Sequence, residues 1–300
     1  MMTTRASDLL EPDQWKQAIK HHQETLRGIV NPNLERHSKG EKHPAYDFLF
    51  EYYSFKPAQL LRWSPGYATQ LRDATPEPFE HLPFFTIQKN IGQLDLKAFP
   101  LQRIKALKWI SLLLSNTLEK PPRLGCLGLH EWAMVYEQQD IRHQQLPLRL
   151  PHDEVRAFLE SQRITCSHYD AFRFFSQSAQ PMNQFQPTRL TQQDEEQCGC
   201  LHVNMDLYKW VYKFYPWTPS NLIADLFMLA VKARMLDMKA SPYDVRELGW
   251  EPIYIETESG QAEYAAQQSV IAQESIPLRK QLLDCYRGLL ALVDHTPSHA

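Results

Sequence analysis

The residues best suited to chemistry are histidines that stand close to carboxylates in four aromatic-rich segments of the chain. Such a pair joins a group that titrates near neutral pH to a strong hydrogen-bond acceptor, and both side chains also bind metal ions. One pair would mean little, whereas four indicate a shared polar centre inside a helical domain. The four sets are His43/Asp47/Glu51, His130/Glu131, His168/Asp170 and His202/Asp206.

Spacing within these sets leaves two interpretations open for each of them. A four-residue spacing places His43, Asp47 and Glu51 on one helical face, and it does the same for His202 and Asp206. A solvated helix face and a surface ion pair are the ordinary alternatives. For the two middle sets the alternatives are a hydrogen-bonded core histidine and a capped helix start.

A polar centre of this composition supports two kinds of chemistry. Histidines and carboxylates on facing helices hold one or two metal ions, with iron expected first and manganese or zinc as alternatives. Alternatively, carboxylates beside aromatic walls activate a water molecule and enclose a planar ligand such as a nucleobase. The candidate metal ligands are His130, His168 and His202, with Glu51, Glu131, Asp170 and Asp206.

Composition restricts the class of protein. The chain has 300 residues, 43% of them hydrophobic and 22% charged, which is typical of a soluble globular protein. A net charge of −3 disfavours a general polyanion binder. Five cysteines, an odd number, and the lack of an apolar secretory leader favour a cytoplasmic protein without a disulfide framework or a membrane partner. Nucleotide-binding glycine loops and the G-x-S-x-G motif are absent.

The elements that must position the four sets are predicted to be helices. Apolar periodicity, capping residues and prolines place them at 13–30, from Pro44 onward, and at 101–119, 124–137, 152–163, 201–215, 219–238, 260–274 and 277–293. The proline-rich residues 63–93 are expected to be irregular or a loop with one short helix, and residues 253–257 are the best strand candidate. The predicted fold is mainly α, one compact helical domain over 1–300 with frayed tails at 1–12 and 294–300.

Five segments together resemble a bacterial protein family labelled 3-methyladenine DNA glycosylase. They begin with HPAYDFLFEYYSFKPAQLLRWSPG (43–66) and RLGCLGLHEWAMVYE (123–137), and continue with SHYDAFRFF (167–175), GCLHVNMDLYKW (199–210) and DMKASPYDV (237–245). The resemblance covers about residues 35–290. It implies hydrolysis of the N-glycosidic bond of alkylated purines in damaged DNA, or of a related nucleoside-like small molecule, without a cofactor.

The resemblance also implies roles for particular residues. A carboxylate would stabilise the oxocarbenium-like sugar and orient water, while aromatic rings stack on the extruded base. The candidate catalytic carboxylates are Asp206, Asp170 and Glu131, and the candidate stacking rings are Trp132, Tyr169 and Trp210. Arg173 and Lys209 would contact phosphates. A helical metalloenzyme is the alternative, and a non-catalytic helical binding protein with locally satisfied polar pairs is the third hypothesis.

Overall fold

The chain is mainly α-helical, which confirms the fold class predicted from the sequence. The computed structural model describes residues 8–139, 141 and 145–294. The described helices are α1 (Pro12–Ser38), α2 (Phe48–Glu51), α3 (Pro57–Leu60), α4 (Pro76–Phe79), α5 (Ile104–Glu119), α6 (Leu129–Val135), α7 (His152–Ser161), α8 (Tyr169–Phe172), α9 (Gln192–Glu195), α10 (Leu201–Lys213), α11 (Ser220–Lys239) and α12 (Glu258–Val293).

Four long helices, α5, α10, α11 and α12, pack against one another and carry the centre of the molecule. In α5 the predicted three- and four-residue steps become a buried stripe, because Leu107, Ile110 and Leu114 are each at most 1% exposed. Helix α11 lies against α1, α10 and α12 and is buried over most of its surface. A charged side chain on the buried face of such a helix must find a partner inside the protein.

Residues 69–94 contribute three strands to a small sheet that the sequence prediction missed, while the one short helix expected within 63–93 is present as α4. The strands are β1 (Asp8–Leu10), β2 (Thr69–Arg72), β3 (Phe85–Gln88) and β4 (Ile91–Leu94), in the order β1-β2-β4-β3. Strand β1 runs parallel to β2, and the other pairs are antiparallel. Lys89 and Asn90 form the two-residue turn between β3 and β4, both with positive φ. Because this turn lacks the usual glycine, the hairpin signal in the sequence was weak.

Residues 253–257 are not a strand, contrary to the prediction. Ile253 and Ile255 are buried in alternation with exposed Tyr254, which imitates a strand pattern. No strand lies beside them among the described residues, and the backbone N–H of Ile253 donates instead to the carbonyl of Lys239. Thr257 then caps α12 by accepting a hydrogen bond from the N–H of Gly260.

The C-terminal helix and the chain ends also differ from the predictions. The two helices expected at 260–274 and 277–293 are one helix, α12, which continues through Pro277. Within the expected tail 1–12, residues 8–12 belong to β1 and to the start of α1. Asp294 lies 2.7 Å from Lys108 in an ion pair. Residues 1–7 and 295–300 lie outside the described part, so the fraying expected there stays a prediction.

Candidate functional site

Three of the four histidine–carboxylate sets converge on one small cavity between α6, α8, α10 and α11. The centre of a water molecule can move within about 20 Å³ of the cavity, so the cavity has room for about one water. Its lining comprises Phe48, Tyr52, Tyr53, His130, Glu131, Met134, His168, Asp170, Ala171, Phe174, His202, Asp206 and Arg234. The site is therefore assembled from segments that lie far apart in the sequence.

A glycine turn directs the second set into this cavity. Gly128 precedes α6 with φ of +70°, a conformation that favours glycine. A Cβ atom there would also lie 3.3 Å from the ring of Tyr264. The turn starts α6 so that His130 and Glu131 occupy its first turn, and both side chains are buried.

Two histidines that line the cavity, His130 and His202, bring ligand atoms together with the carboxylate of Asp237, which lies behind the lining. His130 Nε2 lies 3.3 Å from Asp237 Oδ1, and His202 Nε2 lies 3.8 Å from Asp237 Oδ2. One ligand atom from each residue falls within 4.8 Å of the other two. His130 Nε2 and Asp237 Oδ1 are buried and make no hydrogen bond within the described part of the chain. Buried polar atoms need a partner, and either a proton of His130 or a cation bound to both atoms would supply it here.

Arg234 fixes the carboxylates around this group. Its Nη1 lies 2.8 Å from Glu131 Oε1 and 2.7 Å from Asp237 Oδ2, and all three side chains are at most 3% exposed. The guanidinium thus holds the distal oxygen of Asp237 and leaves Oδ1 directed towards His130. A hydrogen bond to the far oxygen of a ligating carboxylate is the usual outer support of a metal site.

The electrostatics of the two central histidines are opposite. Burial disfavours a charged His130 ring, but Asp237 and Glu131 outweigh it and raise the pKa of His130 to about 9. Burial and the neighbouring His130 lower the pKa of His202 to about 3. A proton on His130 therefore occupies the place between imidazole and carboxylate that a bound cation would take, because metal binding displaces such protons.

A second polar group surrounds Asp206 on the same cavity wall. Tyr53 donates its hydroxyl to Oδ1 at 3.0 Å, while His168 Nε2 and Lys209 Nζ lie 3.4 and 3.3 Å from Oδ2. Lys209 also reaches Asp170 at 3.0 Å. Burial alone would raise the pKa of Asp206, but Lys209 and these hydrogen bonds hold it well below its usual range. Asp206 is therefore an ionised carboxylate inside the protein.

His168 serves this second group as a hydrogen-bond donor. Its Nδ1 accepts the backbone N–H of Ala171 at 3.1 Å and so caps the short helix α8. While that bond is present, the proton of the ring must sit on Nε2, where it faces Asp206. A protonated Nε2 cannot bind a metal ion, so this arrangement separates His168 from the ligand set of His130 and His202.

The first set, His43/Asp47/Glu51, and several other predicted residues do not line the cavity. Glu51 is exposed and lies 3.9 Å from Lys42, so it does not join the other proposed metal ligands. Trp132 is fully buried and donates its indole N–H to the carbonyl of Ala240. The ring of Trp210 packs at 5.9 Å from that of Trp109. Neither tryptophan lines the cavity, as stacking on a base there would require.

The two residues predicted to contact phosphates, Arg173 and Lys209, and the third predicted stacking ring, Tyr169, occupy three different environments. Arg173 is exposed and pairs with Asp170 at 3.0 Å, just outside the cavity. Lys209 is directed inward, because it bridges Asp170 and Asp206. Tyr169 is half-buried and does not line the cavity.

Sequence reasoning missed four contributors to the site. Arg234 and Asp237 interrupt the apolar sequence of α11 at a three-residue spacing, and that interruption was the available signal. Glu196 lies 3.7 Å from His168, and burial raises its pKa to about 7. Tyr53 lies just after the first predicted set in the sequence, and this segment lines the cavity with Phe48, Tyr52 and Tyr53 and with none of the three polar residues of the set.

No protein-family model, curated protein or solved structure matches this chain. The resemblance to the glycosylase family therefore stays a prediction. Among the described residues, no helix has the length and apolar character needed to cross a membrane.

Proposed function

We propose that this protein is a non-haem metalloenzyme that holds one divalent metal ion, with iron expected first, through His130, His202 and Asp237. The observation that carries the proposal is the convergence of three ligand atoms, one each on His130, His202 and Asp237, within 4.8 Å of one another. Two histidines and one carboxylate with open coordination positions are the ligand set typical of iron(II) enzymes.

The surrounding residues support a reaction on a small molecule at the cavity. Two of the three proposed ligands, His130 and His202, line the cavity, which has room for about one water. When bound, the ion would supply a Lewis-acidic or redox-active centre. Arg234 would keep Asp237 oriented. In the second polar group, the ionised Asp206 would supply a fixed negative charge, and Tyr53 and Lys209 would supply hydrogen-bond donors.

Metal binding is tested directly on the purified full-length chain, prepared without chelators. We expect close to one iron, manganese or zinc ion per chain by plasma mass spectrometry, or after anaerobic loading with iron(II). His202→Ala and Asp237→Asn should lose the ion. Asp225→Asn is the matched control, because Asp225 lies on the same helix outside the cavity. A wild-type chain that binds none of the three ions after anaerobic loading would overturn the proposal.

The glycosylase activity is the second candidate, and Asp206 favours it. This carboxylate is buried and ionised, and the rings of Tyr52 and Phe174 line the same cavity. The assay is release of free base from methylated DNA. Activity that Asp206→Asn abolishes and Asp237→Asn retains would support the glycosylase, while activity in neither variant nor wild type, together with stoichiometric metal, would support the metalloenzyme.

A further inference from the structure

His130 and His202 line two separate cavities, each with room for about one water. The first cavity is the one described above, and the second cavity is lined also by Arg123 and Cys126. Within the described part of the chain, the two linings have only these histidines in common. A small molecule can therefore approach the proposed metal ligands from either cavity, and the chemistry of each lining indicates what that cavity admits.

The charged groups in the lining of the first cavity are engaged with one another. Asp206 and Asp170 share the ammonium group of Lys209, at 3.3 and 3.0 Å. The guanidinium of Arg234 is held by its two carboxylate partners at 2.8 and 2.7 Å. Burial and a neighbouring imidazole lower the pKa of His202 to about 3, so this ring is neutral. The lining therefore offers few free partners to a water molecule, which needs about two to four of them in a protein interior.

The rest of the lining of the first cavity is apolar. It consists of the rings of Phe48, Tyr52 and Phe174 and the side chains of Met134 and Ala171. Phe48 and Tyr52 stack with their centroids 4.8 Å apart, and Tyr52 meets Phe174 edge to face at 6.3 Å. Phe174 is 36% exposed, so its ring lies where the cavity meets the solvent. A molecule that enters past these rings contacts mainly carbon.

The second cavity has a more polar lining. Beside the two histidines it presents thiols, hydroxyls and one exposed guanidinium, from Cys126, Cys166, Cys200, Thr165, Ser167 and Arg123. Burial raises the pKa of Cys166 to about 12, so this thiol stays neutral. Hydroxyl and guanidinium groups form hydrogen bonds with water, so the second cavity suits water better than it suits an apolar molecule.

We infer that the first cavity admits dioxygen to the proposed metal site. The inference rests on the proposed function, because it names the co-substrate of the same site. Dioxygen is a small, uncharged and apolar molecule, so it enters an apolar space without the loss of hydrogen bonds that water suffers there. An organic substrate is too large for a space that holds about one water. Iron(II) sites with two histidines and one carboxylate are typical of oxygenases.

Xenon binding to the metal-free full-length chain tests the first cavity separately from the metal. Xenon is an inert, apolar atom that binds in dry apolar cavities of proteins. We expect a saturable shift of the methyl NMR signal of Met134, assigned with Met134→Leu, as the xenon pressure rises. Ala171→Val fills the first cavity and should abolish the shift. Thr165→Leu is the matched control, because it fills the second cavity and should leave the shift unchanged.

Nitric oxide, a diatomic surrogate of dioxygen, tests access to the metal itself. Added without air to the chain loaded with iron(II), it gives the paramagnetic resonance signal of a spin three-halves complex. We expect Ala171→Val to bind iron and lose this signal, while Thr165→Leu retains it. Phe174→Trp, at a partly exposed ring, should slow formation of the signal while the far-ultraviolet circular dichroism stays unchanged.

The outcomes separate this inference from the proposed function. A wild-type chain that binds no iron would overturn both of them. Iron binding without a xenon shift at Met134 would overturn the inference alone. A xenon shift or nitric oxide signal that survives Ala171→Val and disappears in Thr165→Leu would assign access to the second cavity, and it would overturn the inference as well.

Discussion

Loss of the Arg234 guanidinium is expected to destabilise this fold strongly, because two buried carboxylates depend on it. The guanidinium is 2% exposed and lies within 2.8 Å of two carboxylates, Glu131 and Asp237, which are 3% and 0% exposed. Arg234→Met removes the guanidinium that contacts both carboxylates and leaves them buried with His130 as their shared cationic neighbour. Breaking a buried pair from one side costs about 3–5 kcal/mol. That is about a fifth or more of the 5–15 kcal/mol that stabilises a typical domain.

The assay is urea unfolding followed by circular dichroism, with metal removed from both proteins. Arg246→Met is the control, because that arginine pairs with Asp244 at the surface and is 61% exposed; we expect little change from it. A destabilisation by Arg234→Met as small as that of Arg246→Met would refute the view that Arg234 compensates the carboxylates. Addition of a divalent ion should restore more stability to Arg234→Met than to the wild type, because the ion supplies the missing charge.

Three further predictions concern the groups around the cavity. Tyr53→Phe removes a buried hydrogen bond to the ionised Asp206 and should cost about 1.5–3 kcal/mol in urea unfolding; no change would show that the bond does not form. Although burial opposes it, Lys209 lowers the pKa of Asp170. The ionised Asp170 therefore stabilises the fold above pH 3.8, and this contribution is lost as the pH falls below that value. The difference in unfolding free energy between wild type and Asp170→Asn should accordingly close in acid. Gly128→Ala should lower unfolding free energy by about 1–2 kcal/mol, because φ of +70° strains any side chain there; a neutral effect contradicts that.

The long helices could be predicted because their signals are local. In α5 and α11 the apolar spacing and the flanking prolines are readable from about twenty consecutive residues. The small sheet could not be predicted in the same way. Its strands have four residues or fewer, β1 pairs with a partner some sixty residues away, and Lys89-Asn90 is an uncommon turn. The strand prediction for 253–257 was wrong for a different reason. Alternation of apolar and polar residues indicates which side chains are buried, but it does not show that a partner strand lies beside them.

The candidate site was predictable as a theme but not as a ligand set. His130, His168 and His202 were all identified, and all three line the cavity. What separates His168 from the others is a single backbone hydrogen bond to its Nδ1, which no spacing rule reveals. Asp237 was not predicted as a ligand, because its role depends on α11 packing beside the helices that carry His130 and His202. The aromatic candidates were over-predicted, because tryptophans beside polar residues are as common in cores as in sites.

The distances along the chain between paired residues have a consequence for biosynthesis. Glu131 leaves the ribosome 103 residues before its partner Arg234, and Tyr53 precedes Asp206 by 153 residues. At ordinary translation rates of about 5–20 residues per second, the nascent chain spends roughly 5–20 s with Glu131 synthesised and Arg234 still to come. During that interval we expect the Glu131 carboxylate to stay hydrated, because burying it without its partner would be costly, and α6 to stay outside the core. Emergence of α11 then supplies the countercharge, so we expect the core around α6 to close late and in one cooperative step after residue 237 has been made.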